Sequence, residues 1–270
     1  MISRLLYSPA LQQSYNRIRQ MPVVGKLVHA LVRKILPPKT RLSVTVRSGL
    51  AAGLFLSLDP RYESEYAAGV HEGPLLRSLE SHLQRGDVLY DVGAHVGFIS
   101  LVAARIVGSE GKVYAFEADS ENSKRILEHQ GMNSLPQIEV VHAAVWSECT
   151  TLSFRRDSDA SSRNTGAVSR IAGDEKDPGV SVVEAVTLDH FALDHRPPAI
   201  VKIDVEGAEE QVLSGAEAVF RVSQPTLICE IHNARAAEGV VSWLAGQGYG
   251  WKWLSEGDGF PRHLVAQVHR

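Results

Sequence analysis

From Gly86 onward the chain alternates between short apolar segments and longer amphipathic ones, and this rhythm strongly constrains the fold. Short runs rich in valine, isoleucine and aromatic residues are typical of buried strands, and the longer segments between them are typical of helices. The alternation therefore predicts an α/β domain with a mostly parallel sheet and helices on both of its faces. The five predicted strands of this series are residues 87–93, 112–118, 138–145, 199–207 and 225–232.

The predicted helices lie between these strands. Residues 98–108 are predicted to form a helix that ends in glycine, and residues 120–133 a helix whose N-cap is Ser120. Residues 208–220 are predicted to form one continuous helix, and residues 62–85 are also predicted to be helical.

A long interruption follows the third predicted strand. Residues 150–156 and 180–186 are predicted strands, and the polar residues 157–179 between them are predicted to form a loop. Because long loops inside compact domains are usually functional or disordered, we expect part of this loop to cover a ligand pocket. Residues 249–255 and 263–270 are predicted to close the chain as an antiparallel pair.

The N-terminal part of the chain differs in charge from the rest. Residues 1–58 contain nine Lys or Arg and no Asp or Glu, whereas the remainder contains 19 basic and 31 acidic residues. Residues 1–60 are therefore predicted to be a basic extension with a short amphipathic helix and a hairpin at residues 41–59. Residues 61–270 are predicted to form the main domain.

The amphipathic helix of this extension has two interpretations. Its apolar face is formed by Leu27, Leu31 and Ile35, next to a cationic edge. One interpretation is a helix that packs on the domain or forms a homodimer contact. The other is peripheral attachment of residues 1–40 to an anionic membrane.

The composition is that of a globular protein, with 44% hydrophobic and 22% charged residues. The longest apolar runs are far shorter than the roughly 20 residues of a membrane-spanning helix, and residues 1–36 lack the pattern of a cleavable signal peptide. Cys149 and Cys229 lie far apart without metal-ligand spacing. We therefore expect reduced thiols in a cytoplasmic protein, with peripheral contact at the inner membrane surface as the alternative.

The first chemical motif is YDVGAHVGFIS at residues 90–100, where a predicted strand ends at Asp91 and a turn framed by Gly93 and Gly97 opens a helix. Such a turn lets backbone N–H groups approach a ligand closely. A dinucleotide site would favour glycine at the position of His95, because a pyrophosphate needs close approach there. S-adenosylmethionine has no phosphate, so it fits this turn better than a dinucleotide does.

The second motif is a strand-end carboxylate. Glu117 ends the second predicted strand, about 20 residues beyond the glycine turn. This spacing predicts a carboxylate beside a bound ribose, where it can accept hydrogen bonds from both hydroxyl groups. A solvated acid at the end of the strand is the alternative interpretation.

The third motif is IVKIDVEGAEEQVLSGA at residues 200–216. Lys202, Asp204 and Glu206 alternate along the predicted fourth strand and are expected on one side of it. Charged side chains next to a buried strand are unfavourable unless they pair with each other or serve a site at its carboxyl end. A functional acid cluster is therefore predicted, with a structural ion cluster as the alternative.

Together these motifs resemble the FkbM family of methyltransferases over residues 62–232. The resemblance implies a Rossmann-like class I methyltransferase fold with strand order 3-2-1-4-5-7-6, in which one of the seven strands is antiparallel. It also implies S-adenosylmethionine as cofactor and, most often, methyl transfer to a hydroxyl of a sugar, glycan or secondary metabolite. The matching segments are YDVGAHVGFISLVAA, VYAFEADSENSKRI, AAV at 143–145, VTLDHF at 186–191, IVKIDVEGAEEQVLSGA and CEIH at 229–232.

The resemblance also implies which residues hold the cofactor. His95 stands where the family frequently has a small or amide residue. By motif position, the methionine end would be lined by Asp91, Gly93, His95 and Gly97, the ribose held by Glu117 with Ala118 beside it, and the adenine bordered by Ala144 and Val145.

The candidate catalytic residues follow from the same pattern. Asp204 and Glu206 are predicted to orient the acceptor or remove its proton, and Lys202 to pair with a carboxylate. His232, at the end of the fifth predicted strand, is a second candidate base. No metal site is assigned, with Mg²⁺ held by the clustered acids as the alternative.

Two other functions are compatible with the fold. One is a noncatalytic binding or scaffold protein, and the other is a nicotinamide-dependent oxidoreductase, which the missing middle glycine disfavours. Nucleic acid is not an expected partner, because the predicted catalytic domain is acidic and phosphate requires a cationic face. The expected partner is a small-molecule or glycan acceptor.

Overall fold

A seven-stranded sheet flanked by helices forms the centre of the structure, a computed structural model that describes residues 40–60, 63–156, 166–169, 179–257 and 259–268. The strands are Leu42–Thr45 (β1), Phe55–Leu58 (β2), Val88–Val92 (β3), Lys112–Phe116 (β4), Ile138–Val141 (β5), Ala144–Val145 (β6), Thr150–Arg156 (β7), Gly166–Ser169 (β8), Val180–Val186 (β9), Ile200–Ile203 (β10), Thr226–Ile231 (β11), Tyr249–Trp253 (β12) and Arg262–Val268 (β13). The helices are Ser64–Ala68 (α1), Gly73–His82 (α2), Phe98–Val107 (α3), Ser120–Asn133 (α4), Leu188–Phe191 (α5), Glu209–Ser214 (α6), Glu217–Ser223 (α7) and Ala234–Gly246 (α8).

The order of strands in this sheet is β12-β13-β11-β10-β3-β4-β5. Strands β5, β4, β3, β10 and β11 run parallel, whereas β13 is antiparallel to both of its neighbours. This is the order 3-2-1-4-5-7-6 that the family resemblance implied, and the predicted antiparallel pair at the end of the chain is β12 and β13. The predicted fold class is confirmed.

Both faces of the sheet are covered by apolar side chains. All five residues of β3 are buried, as are all four of β10, which explains why these strands are almost continuously apolar in sequence. Leu89 packs into the core on one face, together with side chains of α2 and α3. Its neighbour Tyr90 packs into the core on the other face, together with side chains of α6, α7 and α8.

The predicted hairpin, β1 and β2, packs on α4 rather than standing apart from the domain. Asn133 exchanges hydrogen bonds with the backbone of Phe55 at 2.8 and 2.7 Å. His129 is fully buried, accepts from the Ser57 N–H at 2.9 Å and contacts the Val96 carbonyl at 2.8 Å. The hairpin thus shares one hydrophobic core with the sheet, and the domain boundary at residue 60 stays a prediction.

Several predicted boundaries are wrong, each for a local reason. Helix α4 is capped by Asp119 and not by Ser120, because the Asp119 carboxylate accepts from the next backbone N–H groups. The predicted strand 138–145 is divided, since β5 belongs to the main sheet while β6 pairs with β9 in a separate four-stranded sheet. The order of that second sheet is β6-β9-β7-β8.

Two predicted helices are each divided in two. The described part of the predicted helix 62–85 contains α1 and α2, and Gly69 and Glu72 between them have positive φ angles of 73° and 49°. Residues 208–220 form α6 and part of α7, separated at Gly215. A Cβ atom there would lie 2.2 Å from the Trp146 carbonyl oxygen, so close packing of the backbone interrupts the helix.

Part of the predicted loop is a strand. Residues 166–169 form β8, which pairs antiparallel with β7. The rest of that segment and the predicted amphipathic helix near the N-terminus lie outside the described residues. Among the helices that are described, none has the length and apolar character needed to cross a membrane.

Candidate functional site

A cavity of about 530 Å³ opens at the carboxyl ends of β3, β4, β10 and β11. This is the edge at which open α/β sheets bind ligands, and the volume is in the usual range for a small-molecule site. Asp91 and Gly97, both predicted cofactor residues, do not belong to its described lining. The other predicted site residues do line it: Gly93, His95, Glu117, Ala118, Ala144, Val145, Lys202, Asp204, Glu206 and His232.

The glycine turn is fixed by hydrogen bonds to the neighbouring strand. The N–H groups of Gly93 and Ala94 both donate to the carbonyl of Phe116, at 3.0 and 2.9 Å. Gly93 has φ of 76°, and a Cβ atom on it would lie 1.8 Å from the Asp204 carbonyl oxygen. Only glycine allows the two strand ends to approach so closely, so the turn requires glycine at this position.

His95 holds the centre of the turn in the left-handed region, with φ of 53°. Its N–H donates to Glu117 Oε2 at 2.7 Å, and its Nδ1 lies 3.1 Å from the Tyr66 hydroxyl. Desolvation lowers the pKa of His95 to about 4, so the imidazole is neutral at physiological pH. His95 therefore links the turn to two other walls of the cavity.

Glu117 lies at the end of β4, where only 5% of the residue is exposed. Its Oε1 accepts from the Asp119 N–H at 2.8 Å, while Oε2 accepts from His95. Burial raises the pKa of Glu117 to about 7, because the two hydrogen bonds only partly compensate for the loss of water. Additional hydrogen-bond donors, such as ribose hydroxyl groups, would stabilise the ionised form of this carboxylate.

One side of the cavity is apolar. Ala144 and Val145 come from β6, whereas Phe154 comes from β7, so the second sheet supplies this wall. Val168 of β8 also lines it. A flat adenine ring suits such a surface, because its faces are apolar and its burial is favourable.

These features fit S-adenosylmethionine. The glycine turn supplies backbone at close range without a side chain, Glu117 supplies acceptors for ribose, and the second sheet supplies an apolar wall for adenine. Six of the eight predicted cofactor residues, all except Asp91 and Gly97, thus line one cavity, and their contacts with the cofactor remain predictions.

Asp91 and Lys202 form a buried ion pair beneath the turn. Asp91 is fully buried, and its Oδ1 lies 3.2 Å from the Lys202 ammonium. Lys202 also donates to the Gly93 carbonyl at 2.8 Å and lies 3.7 Å from Asp204 Oδ2. Burial disfavours the charged lysine, but Asp91 and Asp204 outweigh it and raise its pKa. This pair holds the turn and the acid cluster at a fixed separation.

The expected alternation of charges along the fourth strand is wrong. Strand β10 ends at Ile203, so Asp204 and Glu206 lie beyond it rather than on one face of it. Glu206 has φ of 54°, which breaks the period of two. The two carboxylates still line the same cavity, because the chain turns there into α6.

His232 is the centre of this acidic end of the cavity. Its Nδ1 lies 2.7 Å from Glu209 Oε1, and its Nε2 lies 3.1 Å from Glu206 Oε2. The same Nε2 is 3.7 Å from Asp204 Oδ1 and 3.8 Å from Glu230 Oε2. Four carboxylates from two strand ends and one helix therefore surround one imidazole ring.

The crowding shifts the protonation of these groups. Burial opposes the charge on His232, but the hydrogen bond that its ring donates to Glu209 and the charges of Glu206 and Asp204 raise its pKa to about 9. Burial and the charge of Asp204 raise the pKa of Glu230 to about 9. At neutral pH, the carboxyl group of Glu230 is therefore mostly protonated. One ligand atom each from Asp204, Glu230 and His232 lies within 4.8 Å of the others, a spacing compatible with a metal ion.

One wall was missed by the sequence analysis. Tyr66 and His71, whose rings are 4.3 Å apart, face the cavity from the segment of α1 and the following turn. Glu72, held by His71 Nε2 at 2.8 Å, lies beside them. These residues belong to no motif, so only folding reveals them. Glu230, two residues before His232, was not itself predicted as a site residue, but it lines the same cavity.

The family model described as Methyltransferase FkbM domain matches residues 91–250. Among curated proteins, none matches the chain in sequence.

Three solved structures are similar in architecture. A methyltransferase FkbM from Methylobacillus flagellatus KT is 13% identical with a TM-score of 0.49, and the match covers 71% of this chain but only 50% of that one. A putative rRNA methylase from Clostridium thermocellum is 13% identical with a TM-score of 0.49, covering 73% and 95%. Aeropyrum pernix fibrillarin, solved with natively bound S-adenosylmethionine, is 10% identical with a TM-score of 0.45, covering 69% and 68%.

The family match spans more than half of the chain and includes the glycine turn, Glu117, the acid cluster and His232. It agrees with the strand order and with a cavity that suits S-adenosylmethionine. The chain therefore belongs to the FkbM family of S-adenosylmethionine-dependent methyltransferases.

Proposed function

We propose that this methyltransferase acts on a hydroxyl group of a sugar, glycan or secondary-metabolite acceptor. The observation that carries the proposal is the pair of carboxylates of Asp204 and Glu206, next to His232, at the end of the cavity beside the glycine turn. A neutral hydroxyl must lose a proton when its oxygen is methylated, so a nearby carboxylate is the group that this reaction needs.

In the proposed reaction, residues of this chain accept the proton that is released and position the reacting groups. S-adenosylmethionine, when bound, supplies an electrophilic methyl group on a positively charged sulfur. The acceptor oxygen forms the new bond to the methyl carbon while the bond from carbon to sulfur breaks, and its electron pair stays on sulfur. The hydroxyl proton passes to Asp204 or Glu206. Lys202 and the Gly93 turn hold the two sites at a fixed distance, and such positioning supplies much of the rate.

The charge of the cavity limits the acceptor. Glu65, Glu72, Glu117, Asp204, Glu206 and Glu230 all line it, whereas Lys202 is the only Lys or Arg in its described lining. An acceptor with phosphate groups near the reacting atom would be repelled, which argues against nucleic acid and favours a neutral hydroxyl compound. A carboxylate suits an oxygen acceptor, because it can remove the hydroxyl proton as methyl transfer proceeds.

The test is to identify the methylated atom. The protein is incubated with S-adenosylmethionine carrying a ¹³C-methyl group and with lysate fractions of lipids, glycans and small molecules. The carbon chemical shift of the new methyl group distinguishes O-methyl from N-, S- and C-methyl products. We expect O-methyl signals in a glycan or small-molecule fraction.

The Asp204→Asn variant serves as the control for this experiment. It should bind S-adenosylhomocysteine yet produce no labelled product above background. A labelled N-methyl or C-methyl product formed by the wild type, or label only in nucleic acid, would contradict the proposed acceptor class.

A further inference from the structure

Three side chains from two strand ends converge at one end of the cavity. Asp204 follows β10, whereas Glu230 and His232 come from the end of β11. One ligand atom from each lies within 4.8 Å of the other two. We propose that Asp204, Glu230 and His232 bind a divalent cation of the Mg²⁺ and Mn²⁺ class.

The distances suit such an ion. Ligand oxygens lie about 2.0–2.6 Å from Mg²⁺, Mn²⁺ or Ca²⁺, so ligand atoms on opposite sides of one ion are roughly 4–5 Å apart. His232 Nε2 is 3.7 Å from Asp204 Oδ1 and 3.8 Å from Glu230 Oε2. An ion between these three atoms would therefore need only small movements of side chains. Two carboxylates and one imidazole favour a hard or borderline cation over a soft one.

A fully buried carboxylate outside this triad supports the site independently. Glu209, on α6, is 0% exposed, and its Oε1 lies 2.7 Å from His232 Nδ1. Its Oε2 is buried and has no hydrogen-bond partner among the described residues. Burying a carboxylate is unfavourable unless it is paired. At metal centres, the histidine ligand usually donates its second ring N–H to such a carboxylate. Glu209 thus directs Nε2 of His232 toward Asp204 and Glu230.

The local charge also favours a cation. Asp204, Glu206, Glu209 and Glu230 each approach a ring nitrogen of His232 within 4 Å. A divalent cation would neutralise two charges at the centre of the group, and its open positions would face the cavity.

The proposed cation would assist the function proposed above. A hydroxyl group bound to a divalent ion loses its proton more readily, because the ion stabilises the alkoxide. Glu206, whose Oε2 lies 3.1 Å from His232 Nε2, then remains beside the ion to accept that proton. The catalytic role rests on the proposed O-methylation, whereas binding of the cation does not.

Binding is tested with Mn²⁺ alone, by titration followed with electron paramagnetic resonance and with calorimetry. The wild type should bind one equivalent, with a dissociation constant of about 10⁻⁵ to 10⁻³ M. Asp204→Asn and Glu230→Gln should each weaken binding at least tenfold, and Glu209→Gln about tenfold or more through His232. The matched control is Glu184→Gln, which removes an exposed carboxylate from β9.

Two results would overturn the cation site. One is a wild type that shows no saturable one-equivalent binding of Mn²⁺ up to millimolar concentrations. The other is equal affinity of the wild type and the Asp204→Asn variant. S-adenosylhomocysteine affinity reports whether each variant is folded.

If the variants do not fold, the wild type decides the question. Pulsed electron paramagnetic resonance of bound Mn²⁺ should show coupling to an imidazole nitrogen, and its absence would contradict the role of His232. A protein that binds Mn²⁺ at this site but methylates no hydroxyl compound would refute the proposed function and leave the cation site intact.

Discussion

The two ends of the cavity are built in different ways. The cofactor end consists of backbone held at close range, at Gly93 and His95, together with the buried carboxyl group of Glu117. The transfer end consists of charged side chains, with Asp204, Glu206 and further carboxylates around His232. The first end recognises a ligand by shape and hydrogen bonds, and the second by charge and proton affinity.

This difference predicts how each end responds to substitution. At the cofactor end, a single added carbon atom changes the backbone, so the affinity for S-adenosylhomocysteine and the stability of the fold should fall together. At the transfer end, a side chain can lose its charge without moving the backbone, so turnover should fall alone. The substitutions below test this separation.

The largest effect is expected at the transfer end. Asp204→Asn and Glu206→Gln should lower turnover by about 10²–10⁴-fold, the usual contribution of a positioned general base, with the stronger loss at the true proton acceptor. Affinity for S-adenosylhomocysteine should stay within a few-fold of the wild type. Turnover is measured with a methylated-product assay, and Glu184→Gln is the control. Wild-type turnover in both variants would mean that the acid cluster is structural.

Gly93→Ala should have the next largest effect. The added Cβ would lie 1.8 Å from the Asp204 carbonyl oxygen in a residue with φ of 76°, so both a clash and strain oppose it. We expect a loss of about 2–5 kcal/mol in the free energy of unfolding and loss of cofactor binding. Gly53→Ala is the matched control, because Gly53 has φ of 84° but nothing within 4 Å of its Cβ position. Equal losses in both variants, measured by denaturation, would assign the effect to strain alone.

Glu117→Gln should weaken S-adenosylhomocysteine binding without a comparable loss of stability. A charge-assisted hydrogen bond contributes about 1.5–3 kcal/mol, which corresponds to roughly 10–150-fold in affinity. The measurement is calorimetry at constant pH, with Glu139→Gln, a carboxylate outside the cavity, as the control. Unchanged affinity would remove Glu117 from the cofactor site.

The same carboxyl group predicts a dependence on pH. Its pKa is raised to about 7, so it is mostly ionised at pH 8 and mostly protonated at pH 6. Because only the ionised form accepts from both ribose hydroxyl groups, affinity for S-adenosylhomocysteine should fall about tenfold as the pH is lowered over this interval. The Glu117→Gln variant should show a flat profile, and an equally steep profile in that variant would assign the titration to another group.

The smallest effect is expected at Tyr66, in the wall that it forms with His71. Tyr66 comes from α1, outside the matched family segment, and its hydroxyl lies 3.1 Å from His95 Nδ1. Tyr66→Phe removes this hydrogen bond and should cost about 1 kcal/mol in stability, with a few-fold loss of cofactor affinity. Denaturation and calorimetry measure both. Full wild-type affinity would show that this wall is independent of the glycine turn.

The fold was largely predictable because its signals are local. Alternation of apolar strands and amphipathic helices predicted the α/β sheet, and the resemblance supplied a strand order that the structure confirms. One error was local, because the N-cap of α4 is Asp119 and not the next residue. Another depended on a distant contact: the helix predicted at residues 208–220 breaks at Gly215, where the Trp146 backbone packs against it.

The cofactor end of the site could be predicted from the sequence for the same reason. Gly93, His95 and Glu117 belong to two short motifs whose spacing is set by one strand–turn–helix–strand unit. The transfer end could be predicted only in part. Asp204 and Glu206 were predicted together, but their placement beyond the end of β10 depends on a left-handed residue that the alternating pattern did not indicate.

By itself, the sequence determined the sheet, the glycine turn and the residue types at both ends of the cavity, because periodicity and glycine act over a few residues. Only the tertiary structure decided that Glu209 is buried against His232, that Glu230 joins Asp204, and that the wall of Tyr66 and His71 faces the same cavity. These groups are separated along the chain and are brought together by parallel strands that end at one edge. Their proximity is therefore a property of packing rather than of any local pattern.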